Sequence, residues 1–257
     1  MTTLATLPGF FRPHQSNFLI RLGRDFDGGY LIDSRDIDKT KALVSFGVNE
    51  DWSFEKQFSK RNRIPVFAYD ATLNVRYLLR RAWRSLIRLN PLVMARSFHA
   101  LFNYRIFFSG NRHHFQRYVG LDGVAGFITL SSVLDEVKQK SGVDSHIFMK
   151  VDIEGWEYRI LDELIEHSHG FTGLAIELHD VDIHLDKLQD FIEHFPLKLV
   201  HVHANNYSPI TRGGIPLAIE CTFSSSESSA MPVSASLPHP LDMPNKRNRD
   251  EVALSFR

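Results

Sequence analysis

The chain has 257 residues, 43% hydrophobic and 23% charged, with 30 basic and 30 acidic side chains. That balance excludes a disordered chain, a collagen-like fibre and a coiled coil, and it suffices for one sizeable core. A lone cysteine, Cys221, excludes an internal disulfide framework and a cysteine-rich zinc site, and no apolar run reaches the roughly 18–20 residues that cross a bilayer.

Leu43–Gly47 reads as a buried strand with a turn, Trp52–Lys60 as the next helix, and Pro65–Asp70 as a second parallel strand. Val75–Leu89 has a helical period. Val75, Leu78, Leu79, Ala82, Trp83, Leu86 and Ile87 form one face, and Arg76, Arg80, Arg84 and Arg88 step by four along its flank. Asn90-Pro91 ends that helix, Leu92–Tyr104 is a further helix, and His113–Val119 is a weaker strand candidate. Ser131–Lys140 reads as a helix opened by a Ser132/Asp135 cap. Strands then alternate with helices: Ile147–Val151, Trp156–His167, Leu174–Leu178, Ile183–His194 and Leu199–His203. Leu217–Phe223 follows without a helix, as the antiparallel partner of the strand before it. The pattern predicts a single α/β domain over 1–257 with a mostly parallel sheet, an arginine-rich helical insertion over about 74–112 and a Ser/Pro-rich loop over 224–240.

Charge is uneven along this chain. Nine arginines, no lysine and no acid lie between Asp70 and Asp122, so the remainder carries an excess of nine negative charges. Planar guanidinium forks suit phosphate or carboxylate. Arg76, Arg80 and Arg84 are therefore expected to grip a phosphate-bearing substrate or rest on an anionic membrane surface, or else to form a solvated helix face. A long nucleic acid is not expected as partner, because the acidic remainder would repel it.

Ligands of open α/β sheets bind beyond the carboxyl ends of the strands. Gly47 and Asn49 lie at the first such end, and Asp70, suited to a ribose diol, at the second. Asp152 and Glu154 follow the third strand, Glu177, His179 and Asp180 the fourth, and His201, His203, Asn205 and Asn206 the fifth. Alternation puts Asp152 with Glu154, Glu177 with His179, and His201 with His203 on shared faces. Such carboxylates and imidazoles suit a general base or a divalent metal, or are plain polar strand ends satisfied by loop backbone.

Asp27-Gly28-Gly29-Tyr30, Leu43–Gly47, Lys150–Gly155, Ile176–Asp180, His201–Asn206 and Ile219–Phe223 together resemble the FkbM-type methyltransferase family. The resemblance spans about Arg21 to Phe223. It implies a Rossmann-like class I methyltransferase fold, a seven-stranded mostly parallel sheet with helices on both faces, and S-adenosylmethionine as cofactor. It implies O-methylation of a hydroxyl of a sugar or polyketide, and we expect a glycan or phosphate-bearing sugar precursor. It places Asp27, Gly28, Gly29, Tyr30, Phe46 and Gly47 near the methionine part of the cofactor and Asp70 on the ribose, with Asn49 beside them. The chain departs from the commonest glycine motif of that fold, of which only Gly47 remains. Asp152, Glu154, His179 and His203 are the expected catalytic residues. Asp152, His179, Asp180 and His203 are the expected ligands of magnesium or manganese, with Asn205 and Asn206 on the substrate. A metal-dependent hydrolase and a catalytically inactive, membrane-surface scaffold are the alternatives. The expected location is the cytoplasm or the inner face of its membrane; the oligomeric state stays open.

Overall fold

A computed structural model describes residues 3–74, 76, 79, 80, 83, 84, 91–228 and 237–257. Its centre is a seven-stranded sheet built from β4 (Ala42–Phe46), β5 (Val66–Tyr69), β6 (Arg112–Phe115), β9 (Ile147–Val151), β10 (Phe171–Leu178), β11 (Lys198–Ala204) and β12 (Ile219–Ser224). The strand order is β11-β12-β10-β9-β4-β5-β6. β4 pairs in parallel with both β5 and β9, whereas β12 runs antiparallel to β10 and β11. The expected mostly parallel sheet, with an antiparallel pair late in the chain, is therefore present.

Side-chain alternation divides the core into two layers. Val44, Met149 and Leu174 face α4 (Leu130–Ser141), α5 (Leu161–Glu166) and α6 (Leu185–His194). Leu43, Phe148 and Ala175 face the opposite side, where α1 (Ser34–Lys39) and α2 (Ser53–Asn62) contribute Ile37, Phe54 and Phe58. Both faces of the sheet are thereby covered, which is why β4 and β9 carry almost unbroken apolar runs.

Two pairings lie outside the sequence-based reading. β2 (Leu19–Gly23) and β3 (Gly29–Asp33) form a hairpin on the α1/α2 side. β1 (Thr3–Leu7) pairs in parallel with β13 (Val252–Phe256), tying the two ends of the chain together. A small pair, β7 (Tyr118–Val119) and β8 (Phe127–Ile128), follows β6.

Other boundaries also differ from expectation. Pro91 opens α3 (Pro91–Phe107), the first-turn position where its missing N–H costs nothing. Thr129, not Ser132, caps α4 by accepting from the Ser132 amide at 3.1 Å. The expected helix Trp156–His167 is broken into a short 3-10 turn, Glu157–Arg159, followed by α5. There the Glu157 carboxylate turns back to accept from the Ile153 and Gly155 amides, competing with helix continuation. In the insertion, Arg76, Leu79, Arg80, Trp83 and Arg84 are helical. Val75, Leu78, Ala82, Leu86, Ile87 and Arg88, the rest of the stripe and its apolar face, lie outside the described residues, as does 229–236 of the Ser/Pro-rich loop.

Candidate active site

The chain enters the sheet at β4, builds outwards through β5 and β6, then returns to β9 on the other side of β4. This reversal leaves a crevice between the carboxyl ends of β4 and β9, the place where an open α/β sheet receives its ligand. A cleft of about 1060 Å³ opens there, lined by Asp27, Gly28, Gly47, Asn49, Asp70, Asp152, Glu154, Glu177, His179 and Asn205 among others. Ten strand-end and loop residues from six distant parts of the chain thus share one cavity.

On the β5 side, Asp70 is almost buried and accepts hydrogen bonds at both carboxylate oxygens. Oδ1 takes the Thr72 amide at 2.7 Å, the Thr72 hydroxyl at 2.6 Å and the Leu73 amide at 3.2 Å. Oδ2 takes the Asn49 amide at 2.6 Å and retains capacity for a further donor. Asp70 thus holds the loop after β4 against the loop after β5.

Gly47 lines the cleft and also fixes how two of its walls meet. At φ +71, a Cβ on it would lie 1.6 Å from the carbonyl oxygen of Asp152. Glycine is required so that the two strand-end loops can touch each other. Lys150 reinforces that contact: its Nζ donates to the Gly47 carbonyl at 2.8 Å and lies 3.3 Å from Asp152 Oδ2.

On the β9 and β10 side, acids crowd together. The Tyr30 hydroxyl, delivered by the β2–β3 hairpin, donates to Asp152 Oδ2 at 3.0 Å and to Glu177 Oε2 at 3.4 Å. Asn205 donates to Glu177 Oε1 at 2.6 Å. Burial, followed by the charges of Asp152 and Glu220, drives the Glu177 carboxyl well above the carboxylate range. Burial beside the same acids also raises the Tyr30 phenol. His179 places Nδ1 3.1 Å from Glu157 Oε1 and Nε2 3.6 Å from Glu154 Oε2. Burial opposes its charge, but Glu157, Glu177 and Asp152 prevail and raise the imidazole to about 9. Lys150 is likewise held cationic, since Asp152 and Glu55 outweigh its burial.

Asp152, Glu154 and His179 each present a ligand atom within 4.8 Å of the others. Two carboxylates and an imidazole whose other nitrogen faces a buried carboxylate fit a divalent cation, because that outer contact is what orients a metal-binding histidine. Among the described residues this group does not include Asp180 or His203.

The remaining expectations divide. Phe46, Gly29 and Tyr30 stand behind the cleft wall: Phe46 is wholly buried in the core and Tyr30 reaches the site through its hydroxyl. Asp180 takes a left-handed conformation in the turn after β10 and is exposed. His203, expected as base and ligand, is buried between Glu220 and Glu251 at 3.2 Å each, and His201 pairs with Asp242 at 3.2 Å; neither lines the cleft. Asn206 also turns away, holding the Lys246 and Arg249 carbonyls of the C-terminal segment. Arg76, Arg80 and Arg84 are exposed and do not line the cleft; among the described arginines of that block, Arg117 does.

Several lining residues had no sequence-based assignment. Tyr118, Phe127 and Trp156 form an aromatic wall, with ring centroids 5.1 and 5.3 Å apart. Glu55 reaches into the site from α2 and accepts from the Ser45 hydroxyl at 2.5 Å. The available signal for this layer was a polar side chain inside an apolar strand, as with Ser45 in ALVSF and Lys150 in IFMKV.

No protein-family model and no curated protein matches the chain. Among solved structures it is similar to a precorrin-6y C5,15-methyltransferase from Geobacter metallireducens GS-15, at 14% identity and TM-score 0.39, over 75% of this chain and 87% of that one. It is similar to an rRNA methylase from Streptococcus thermophilus at 10% identity and TM-score 0.34, over 74% of this chain and 89% of that one. For the 23S rRNA methyltransferase ErmE the figures are 9%, 0.34, 79% and 71%. On its own strand order, with one antiparallel strand between the last two parallel ones, the chain has the Rossmann-like, seven-stranded fold expected for class I methyltransferases.

Proposed function

We propose that the chain is an S-adenosylmethionine-dependent O-methyltransferase acting on a hydroxyl of a glycan or phosphate-bearing sugar precursor. The observation that carries this reading is the sharing of one cleft, at the switch point of the sheet, by Asp70 and by the Asp152–Glu177–His179 group. In this reading Asp70 Oδ2 would accept a ribose hydroxyl, and Asp27, Gly28, Gly47 and Asn49, which line the same cleft, would hold the methionine part. When bound, S-adenosylmethionine supplies a methyl group on a positively charged sulfur. The chain's own contribution would then be mostly alignment.

Asp152 is the proton acceptor in this reading. Tyr30 and Lys150 both hold its Oδ2 and so fix the carboxylate plane at the cleft floor. Glu154, 84% exposed at its side chain, stands at the mouth where it can pass a proton to solvent. If a divalent cation is used, Asp152, Glu154 and His179 would hold it, and it would supply Lewis acidity toward the acceptor hydroxyl. The aromatic wall offers flat apolar faces for a sugar ring, and Arg24 and Arg117, the latter 3.4 Å from Glu136, are the guanidinium groups of the lining that a phosphate would meet.

Calorimetry with S-adenosylmethionine and S-adenosylhomocysteine, followed by mass spectrometry of sugar-phosphate acceptors, tests this reading. Binding of both, and transfer of one methyl to oxygen, is the expected result. Absence of cofactor binding by correctly folded protein would overturn it. The Asp152, Glu154 and His179 convergence also favours a second reading, a metal-dependent hydrolase. Manganese-dependent ester cleavage without S-adenosylmethionine would establish that one instead.

A further inference from the structure

Helix α3 is apolar on two opposite sides. One side is covered: Leu101, Tyr104, Phe107 and Phe108 pack with Val48, Trp52, Ala68 and Leu73. The other is open to solvent. Phe98, Phe102 and Ile106, spaced by four so that they lie along one stripe, are 52%, 65% and 53% exposed. Arg105 and His99 flank the stripe and are exposed as well. Earlier in the same insertion Leu79 and Trp83 are 45% and 64% exposed, beside exposed Arg76, Arg80 and Arg84. Large apolar side chains clustered in this way mark a surface that meets something.

We propose that this outer face of the insertion docks the protein on an anionic lipid bilayer surface. The charge of the segment selects the occupant. Nine arginines and no acid lie between Asp70 and Asp122, and of these Arg76, Arg80, Arg84 and Arg105 are exposed, whereas Arg117 pairs with Glu136 away from the stripe. A second copy of the chain would bring arginine against arginine. An anionic bilayer attracts the guanidinium groups while its acyl boundary accepts the phenylalanine, isoleucine and tryptophan side chains. No helix among the described residues is long and apolar enough to cross a membrane, so the contact is interfacial.

The opposite, covered side of α3 reaches the loop after β5. The Tyr104 hydroxyl donates to His114 Nδ1 at 2.8 Å, and His114 Nε2 donates to the Asp70 carbonyl at 3.1 Å. The carbonyl can only accept, which sets this tautomer. The covered side of α3 is thus seated on the loop that carries Asp70. The docking proposal itself does not depend on the methyl-transfer reading.

Flotation of the full chain with vesicles of phosphatidylcholine, with and without phosphatidylglycerol, tests the proposal. Binding is expected only with phosphatidylglycerol and should weaken as salt is raised. Phe102→Asp with Ile106→Asp should lower the apparent affinity at least about tenfold, since two apolar side chains no longer enter the boundary. Arg80→Gln and Arg84→Gln change only exposed side chains and should each lower it about fivefold. Indifference of folded wild-type protein to anionic vesicles at low salt would overturn the proposal. So would a dimer, seen by light scattering, that the Phe102/Ile106 change separates while vesicles leave the wild type unbound; that result would assign the face to a second copy.

Discussion

The carbonyl oxygen of Asp152 occupies the space that a side chain at Gly47 would need, 1.6 Å from where its Cβ would lie. The loops after β4 and β9 are therefore in backbone contact, and the cleft floor depends on that contact. Gly47→Ala combines a forbidden approach with a left-handed φ of +71. We expect a loss of at least about 2 kcal/mol in urea unfolding, and cofactor affinity that falls with it, because the loops must separate. Unaltered stability with unaltered binding would mean that the loops do not meet.

Lys150 should be indispensable for stability. It is nearly buried, and its ammonium faces Asp152 while Glu55 also lies within its field. Lys150→Met would leave the buried Glu55 and the 23% exposed Asp152 without their cation and the Gly47 carbonyl without its donor, a loss of about 1–3 kcal/mol. Chemical denaturation of the variant measures this directly, and a change under about 1 kcal/mol would contradict the pairing.

Asp70→Asn tests the ribose assignment with a near-isosteric change. The amide can keep the Thr72 contacts, but an NH₂ group then faces the Asn49 amide or the cofactor hydroxyl. Cofactor affinity should fall by about 1.5–3 kcal/mol, the scale of a hydrogen bond to a charged group. Calorimetry with circular dichroism as a fold control makes the measurement; equal affinity would remove Asp70 from the ribose.

A buried acid remote from the cleft sets a pH dependence of folding. Asp36 is fully buried, its Oδ2 has no hydrogen-bond partner, and burial, only partly offset by Ser224 and Ser226, raises its carboxyl to about 6. The folded state therefore binds this proton more tightly than the unfolded chain, whose aspartate titrates near 3.8. Its contribution to stability is fully present below that value and is lost as pH rises through about 6. Asp36→Asn should consequently be more stable than wild type by about 1–3 kcal/mol at pH 7 and nearly equal to it at pH 3.5. Melting temperatures of the two proteins should diverge as pH rises across that interval, and a constant difference would refute it.

Metal dependence is decided by chelation. If Asp152, Glu154 and His179 hold a cation, EDTA should abolish turnover and manganese or magnesium should restore it, while Asp152→Asn should lose manganese binding by calorimetry. Full turnover after exhaustive chelation would leave the three as orienting and proton-accepting groups.

Much of this architecture follows from local pattern. Apolar runs at 43–47, 147–151 and 174–178, separated by amphipathic helices, require a parallel sheet covered on both sides, because such strands have no polar face to show to water. Their carboxyl ends could be read directly, and so Asp70, Asp152 and His179 were identifiable as neighbours of one cavity. Long-range packing decided the rest. His203 alternates with His201 as any strand residue must, but β12 and the C-terminal segment deliver Glu220, Asp242 and Glu251 onto that face and bury both imidazoles away from the cleft. Tyr30 enters through a hairpin whose strands are too short and mixed to signal themselves, and only their docking against the sheet brings its hydroxyl to Asp152. The sense of α3 was likewise undetermined by periodicity. A helix apolar on two sides gives no indication of which side it buries, and the packing of Tyr104 and Phe108 on Trp52 is what turns Phe98, Phe102 and Ile106 outward.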